Sequence, residues 1–283
     1  VSARSSSNEG EGRMLVRYAG GVRGARSAAR TGAVAVVVDA FRASATLAAL
    51  VHRGAVVVTV ASVEEALALP ADLRVGERGG AKVPGFDLGN SPTAVLEARM
   101  EPGSRVVMTT TNGTRIVEAA AGATAVYAGS FVNAGALAHT LASAFPGGEI
   151  VVVGCGWRGH RSSEDEAAAG AIVHRLRGFG AGVDPRARVV EEAYLTRPLG
   201  RLTKNAAARR LARLGYARDV EFCLREDVLP AVPRLLKGAF VEGGARAKNL
   251  LDSQGVRIYS EGGPADQTLQ AGSGVRQSAA ERR

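Results

Sequence analysis

Short β-branched runs, each followed by a polar or glycine-rich break and then a stretch with helical spacing, recur along this chain. "AVAVVVDAFRASATLAALVHRG" predicts a strand ending at Val38, with Asp39 at its carboxyl end and a helix from about Ala43. "AVVVTVASVEEALAL" repeats the unit, with Ser62 and Glu65 spaced as a capping box in which each side chain satisfies the other's free backbone N–H. "LRVGERGG" is a brief strand running into Gly76 and Glu77. After it, "KVPGFDLGNSPTAVLEARM" places Pro92 where a first helical turn tolerates a missing N–H. "RVVMTTTNGTRIVEAAAG", "ATAVYAGSFVNAGALAHTLAS" and "EIVVVGCGWRGHRSSEDEAAAGAIVHRL" each run strand, polar loop, helix. This alternation predicts an α/β fold of three layers, a mostly parallel sheet with helices on both faces. Such sheets bind ligands beyond the carboxyl ends of their strands. That rule gathers Asp39, Glu77, Thr109 to Thr114, Ser130 and Cys155 along one rim.

The ends of the chain change in character. "VSARSSSNEGEGR" has no apolar h-region, and a flexible leader is expected over residues 1–30. The α/β domain is expected over 31–260, with a division into two sub-lobes left open. From Gly262 the polar, glycine-bearing "GGPADQTLQAGSGVRQSAAERR" predicts a disordered tail over 261–283. Between core and tail, "EEAYLTRPLGRLTKNAAARRLARLGYARDVEFCLREDVLPAVPRLL" reads as helical segments that close over the rim, with Cys223 buried. No stretch approaches the roughly 20 apolar residues of a membrane span. The two cysteines, Cys155 and Cys223, suit a reduced, cytoplasmic setting better than a disulfide framework.

A net charge of +9 invites a nucleic-acid partner. Only four of the 36 basic residues are lysines, however, so the excess reflects an arginine-rich composition at least as well as a binding face. The densest basic run, "RLTKNAAARRLARLGYAR", carries one aromatic and reads as a solvated helix face. No nucleic-acid partner is expected.

Candidate chemistry concentrates in two loops. In "TTTNGTR", Gly113 allows a tight turn, and the hydroxyls and amides of Thr110, Thr111, Asn112 and Thr114 are donors suited to an anion. Threonine and asparagine also cap helices routinely; it is the polarity of six strand-end loops together that favours a ligand site. "VVVGCGWRGHRSSED" spells GxGxxG through Gly154, Gly156 and Gly159, but the acidic residue a dinucleotide site wants roughly 20 residues on is missing. The same stretch sets Cys155 and Arg161 at the spacing of cysteine phosphatases, where a thiolate attacks phosphorus. That mechanism, and a non-catalytic anion-binding module, stay open as alternatives.

Taken in order, "DAFRASAT", "GERGG", "GFDLGNSP", "TTTNGT", "GSFVN", "GCGWRGHRSSEDEAAAG" and "DVEFCLREDVLPAVP" resemble the 2-phosphosulfolactate phosphatase family, over residues 34 to about 240. The departure from the family's pattern is largest at Trp157 and His160. The resemblance implies an α/β, magnesium-dependent acid phosphatase that hydrolyses a small phosphorylated sulfonate or carboxylate ester, above all 2-phosphosulfolactate to sulfolactate and phosphate. Magnesium needs only one or two carboxylates beside its waters and a phosphate oxygen. The candidate metal ligands are Asp39, Glu77 and Asp87, and the candidate catalytic residues are Asp39, Glu77, Glu164 and Asp165, with Cys155 as the alternative nucleophile. Glu164 and Asp165 open a helix, where the dipole alone would also favour acids. Substrate contacts are expected from Arg42, whose planar fork suits a phosphate or sulfonate, and from Asn90, Ser91, Thr110, Thr111, Asn112, Gly113, Thr114, Ser130 and Asn133. A water oriented by Asp39 or Glu77 is the expected nucleophile. The expected partner is the small anionic ester, with no membrane; a homo-oligomer is compatible with all of this.

Overall fold

The structure, a computed structural model, describes residues 12–244. The chain opens with β1 (Leu15–Gly20), α1 (Gly21–Thr31), β2 (Val34–Val38), α2 (Ala43–His52), β3 (Val56–Val60) and α3 (Val63–Ala68). There follow β4 (Leu73–Arg78), β5 (Ala81–Lys82), α4 (Pro92–Glu97), β6 (Arg105–Thr109), α5 (Gly113–Ala119), β7 (Ala125–Ala128) and α6 (Ala134–Ala144). The last part holds β8 (Glu149–Gly154), α7 (Ser163–Gly178), β9 (Gly182–Val183), α8 (Pro185–Thr196), α9 (Ala206–Arg213), α10 (Ala217–Cys223), β10 (Pro233–Leu236) and β11 (Ala239–Glu242).

The strands form one sheet in the order β5-β4-β6-β3-β11-β10-β7-β2-β8-β1-β9. β4, β6 and β3 run parallel, as do β7, β2, β8, β1 and β9. The β10–β11 hairpin lies antiparallel between these two groups and joins them. β2, "VAVVV", is buried at all five positions, as a central strand covered on both faces must be. Its side chains divide by parity: Ala35 and Val37 face a core shared with α1, α2 and α5, while Val34, Val36 and Val38 face one shared with α6, α7 and α8. The expected three layers are therefore present.

Local sequence explains several boundaries. Ser62 accepts a hydrogen bond from Glu65 N at 3.0 Å, and the Glu65 carboxylate reaches back to Ala61 N, one residue short of the reciprocal box. Pro92 and Pro185 occupy first-turn positions of α4 and α8 behind the capping residues Ser91 and Asp184.

Two expectations need correction. The leader expected over 1–30 contains β1 and α1. "LVRYAG" has no continuous apolar run, and it becomes a strand because all six residues pair with β8. The region around Pro233, expected to be helical, is the β10–β11 hairpin: the prolines at 230 and 233 stop the helix, and the strand is completed by pairing with β7 and β3. Residues 1–11, 245–260 and the tail expected over 261–283 lie outside the described residues. Among the described residues no helix is long and apolar enough to cross a membrane.

Candidate active site

A cleft of about 260 Å³ opens at the carboxyl ends of β2, β4, β6 and β8 and is walled on its far side by α9. Of the expected residues, Asp39, Arg42, Glu77, Asn90, Thr111, Asn112, Glu164 and Asp165 line it.

Four carboxylates therefore share one small space, and their hydrogen bonds separate them into two kinds. Glu77 accepts from Gly80 N and Thr111 N, both at 2.6 Å, one bond to each oxygen. It clamps the turn after β4 to the loop after β6. Gly80 permits this turn because its backbone, at φ +97, is one that only glycine adopts freely. Asp165 accepts from Ala40 N and Gly156 N, both at 2.8 Å, again one to each oxygen. It ties the ends of β2 and β8 together. Asp39, by contrast, receives only Ala43 N, at 3.3 Å on Oδ1, and Glu164 receives Ser163 Oγ and Asn205 Nδ2 on Oε2. Asp39 Oδ2 and Glu164 Oε1 have no donor among the described residues.

The crowding has an electrostatic consequence. Burial, reinforced by the nearby Glu77 charge, raises the Asp39 carboxyl to about 7, against a partial relief from the Ala43 N–H. Asp165 is likewise held well above the ordinary carboxylate range, by burial first and by Asp39 second. A cation placed among these groups would relieve both effects. The donor set is one of hard carboxylate oxygens, the kind a hard divalent cation takes.

The "TTTNGT" loop stitches neighbouring loops together. Thr111 Oγ1 accepts from Gly79 N at 3.3 Å, Asn112 Nδ2 donates to Gly156 O, and Thr114 Oγ1 donates to Thr110 O at 3.2 Å. Gly113 needs no left-handed backbone. A Cβ there would stand 3.2 Å from Ala43 Cβ, tighter than an ordinary contact, and 3.4 Å from Asp39 Oδ2, so the close approach to Ala43 is what favours glycine. Thr110 is buried, its Oγ1 without a partner, and Thr110, Gly113 and Thr114 all lie behind the cleft surface. Asn90 is buried too, but it reaches the cleft, and its Oδ1 has no partner.

Other expected residues have structural partners. Arg42, only 2% exposed, pairs with Asp219 at 2.7 Å, donates to Gly80 O at 2.7 Å and lies 4.0 Å from the Tyr216 ring. Its N–H groups hold α10 to the turn after β4 and are not a free fork for substrate. Ser91 donates to the same Asp219 and caps α4. Asp87 accepts from Arg74 N on the outer side of β4 and does not line the cleft. Asn133 accepts from Ser130 N and donates to Ala128 O and Ala231 O, fixing the turn after β7 away from the cleft. Cys155 is buried and outside the cleft, and burial with the Asp39 and Asp165 charges pushes its thiol well above the usual value. Arg161, its expected companion, pairs with Glu166. A thiolate nucleophile needs the opposite surroundings.

Residues not anticipated complete the far wall. Asn205 caps α9 by accepting from Ala208 N and bridges to Glu164 with its amide. Its cap position was readable in "TKNAAARR"; its cleft position was not. Trp157, in the turn after β8, carries the Arg210 guanidinium 4.1 Å from its ring centre.

Comparison with known proteins agrees with this architecture. The model of the 2-phosphosulpholactate phosphatase family matches residues 23–238. A Thermotoga petrophila protein described as a probable 2-phosphosulfolactate phosphatase is 40% identical over 215 residues, covering 73% of this chain and 91% of its own. A Gloeobacter violaceus protein with the same description is 37% identical over 220 residues, covering 75% and 92%. With its α/β layers, its strand-end cleft and this similarity over most of its length, the chain belongs to the 2-phosphosulfolactate phosphatase family.

Proposed function

We propose that this protein is a magnesium-dependent phosphatase hydrolysing 2-phosphosulfolactate to sulfolactate and phosphate, at the cleft between the strand ends and α9. The observation that carries this reading is the pair of carboxylate oxygens without protein donors, Asp39 Oδ2 and Glu164 Oε1, in one cleft of a chain from this family. These two carboxylates would hold the ion. Magnesium, when bound, supplies neutralisation of charge on the phosphoryl oxygens. Asp39 orients the attacking water. Glu77 and Asp165, with both oxygens held by backbone N–H groups, brace the loops on either side. Asn90 and Thr111 offer an amide and a hydroxyl to the phosphoryl group. The ester is the sole partner this reading requires. Two free, buried cysteines support a cytoplasmic setting.

The test follows phosphate release from 2-phosphosulfolactate. Activity should vanish in EDTA and return with magnesium, and Asp39→Asn should lower kcat by on the order of 10²–10⁴-fold. Full turnover in chelator would remove the metal from the mechanism. An active Asp39→Asn protein would move the reaction to another site.

A further inference from the structure

Arg210 is the cleft's unclaimed cation. Arg42 is bound to Asp219 and Gly80 O, and Arg161 to Glu166, whereas the Arg210 guanidinium forms no hydrogen bond and no ion pair among the described residues. Its Nε is buried without an acceptor, a condition that costs free energy until an acceptor arrives. Its position is nevertheless well defined. The guanidinium lies 4.1 Å from the centre of the Trp157 ring, and its Nε lies 3.8 Å from the place where a Gly80 Cβ would be. Stacking uses the face of the guanidinium plane and leaves the N–H groups on its edge, the arrangement that grips an oxyanion with two parallel bonds.

We infer that Arg210, held on Trp157, is the specificity-determining residue that binds one of the two acid groups of the substrate that do not react. The inference rests on the proposed phosphatase reading. Within it, the phosphoryl group is served by Asp39, Glu164 and the loops after β4 and β6, all on the strand-end wall. Arg210 is carried by α9 on the opposite wall and reaches across to Trp157 and Gly80, while Asn205 of the same wall contacts Glu164. A phosphate ester bearing a second acid group spans that arrangement. A neutral phosphate ester leaves Arg210 without an acceptor.

The experiment compares three substrates: 2-phosphosulfolactate, 2-phospholactate, which lacks the sulfonate, and p-nitrophenyl phosphate, which lacks both acid groups. Arg210→Ala should lower the kcat/KM ratio of 2-phosphosulfolactate to the aryl phosphate by roughly 10- to 100-fold, mainly through KM. Arg210→Lys should recover part of the ratio, since a lysine keeps the charge and loses the fork. Trp157→Ala should lower it in the same direction by a smaller factor. If 2-phospholactate suffers as much as 2-phosphosulfolactate, Arg210 holds the carboxylate; if it suffers much less, Arg210 holds the sulfonate. Thermal melts confirm that each variant is folded. Equal losses on all three substrates, or no loss in a folded Arg210→Ala protein, would overturn the inference while leaving the phosphatase reading intact. A parent protein that releases phosphate from none of them would overturn both.

Discussion

The strand-end wall of the cleft carries four carboxylates, two of them held on both oxygens by backbone N–H groups, whereas two arginines, Arg42 from the loop after β2 and Arg210 from α9, meet opposite fates. Arg42 is buried against Asp219, which also accepts from Ser91 Oγ at 2.8 Å and Thr93 Oγ1 at 2.5 Å. Arg210 stands at the cleft edge with no anion. The same division runs through the carboxylates: Glu77 and Asp165 are consumed by the fold, and Asp39 and Glu164 keep an oxygen free. For both kinds of charge, proximity to the cleft does not distinguish the functional group from the structural one. The count of partners does, because a charge already satisfied gains little from a ligand, and a charge left unsatisfied gains much.

Stability measurements separate the two arginines most directly. Asp219→Ala strands the buried Arg42 charge and should lower unfolding free energy by about 3–5 kcal/mol. Arg210→Ala, which removes a partly exposed stack, should cost about 1 kcal/mol or less. Urea melts would check this, and equal costs would mean that the two arginines do the same job.

A smaller effect sharpens the carboxylate side. The folded Asp39 carboxyl titrates at about 7 against an ordinary 3.8, so the folded state binds its proton more tightly than the unfolded state. Stability of the cation-free protein should therefore fall as pH rises from about 4 to about 7, and Asp39→Asn should remove part of that fall, on the order of 1–4 kcal/mol. In EDTA, the variant's advantage over the parent should be larger at pH 8 than at pH 5. Magnesium at pH 8 should stabilise the parent more than the variant. An advantage independent of pH would show that Asp39 is charged without strain.

The smallest expected effect concerns Cys155. A buried thiol outside the cleft makes no contact with substrate, so Cys155→Ser should change kcat by no more than a few-fold. Loss of essentially all turnover in a folded variant would restore the thiolate mechanism and make the carboxylate contrast irrelevant to the chemistry.

Much of the fold was legible. Strand runs such as "VAVVV" and "EIVVVG", separated by loops and helices, predict the parallel units and their rim, because a strand covered on both faces has to be apolar throughout. β1 and the β10–β11 hairpin were not legible. Neither carries a local pattern strong enough to announce a strand, and both depend on pairing partners far along the chain. At the site, the motifs "DAFRASAT", "GERGG" and "TTTNGT" pointed to loops that reach the cleft, but fewer of their residues line it than were expected. Thr114, Ser91 and Asn133 sit in those loops or in similar ones as caps and clasps.

Local periodicity and strand-end position carry the layered α/β architecture, the rim on which the cleft opens and the presence of Asp39, Glu77, Glu164 and Asp165 there. Only the tertiary structure decided which of these groups are free. Asp165 meets Ala40 N across 125 residues and Arg42 meets Asp219 across 177, and α9 brings Arg210 to Trp157 from a separate part of the chain. Hydrogen bonding saturates a group through whatever neighbour the fold supplies, and at those separations no local pattern names the neighbour.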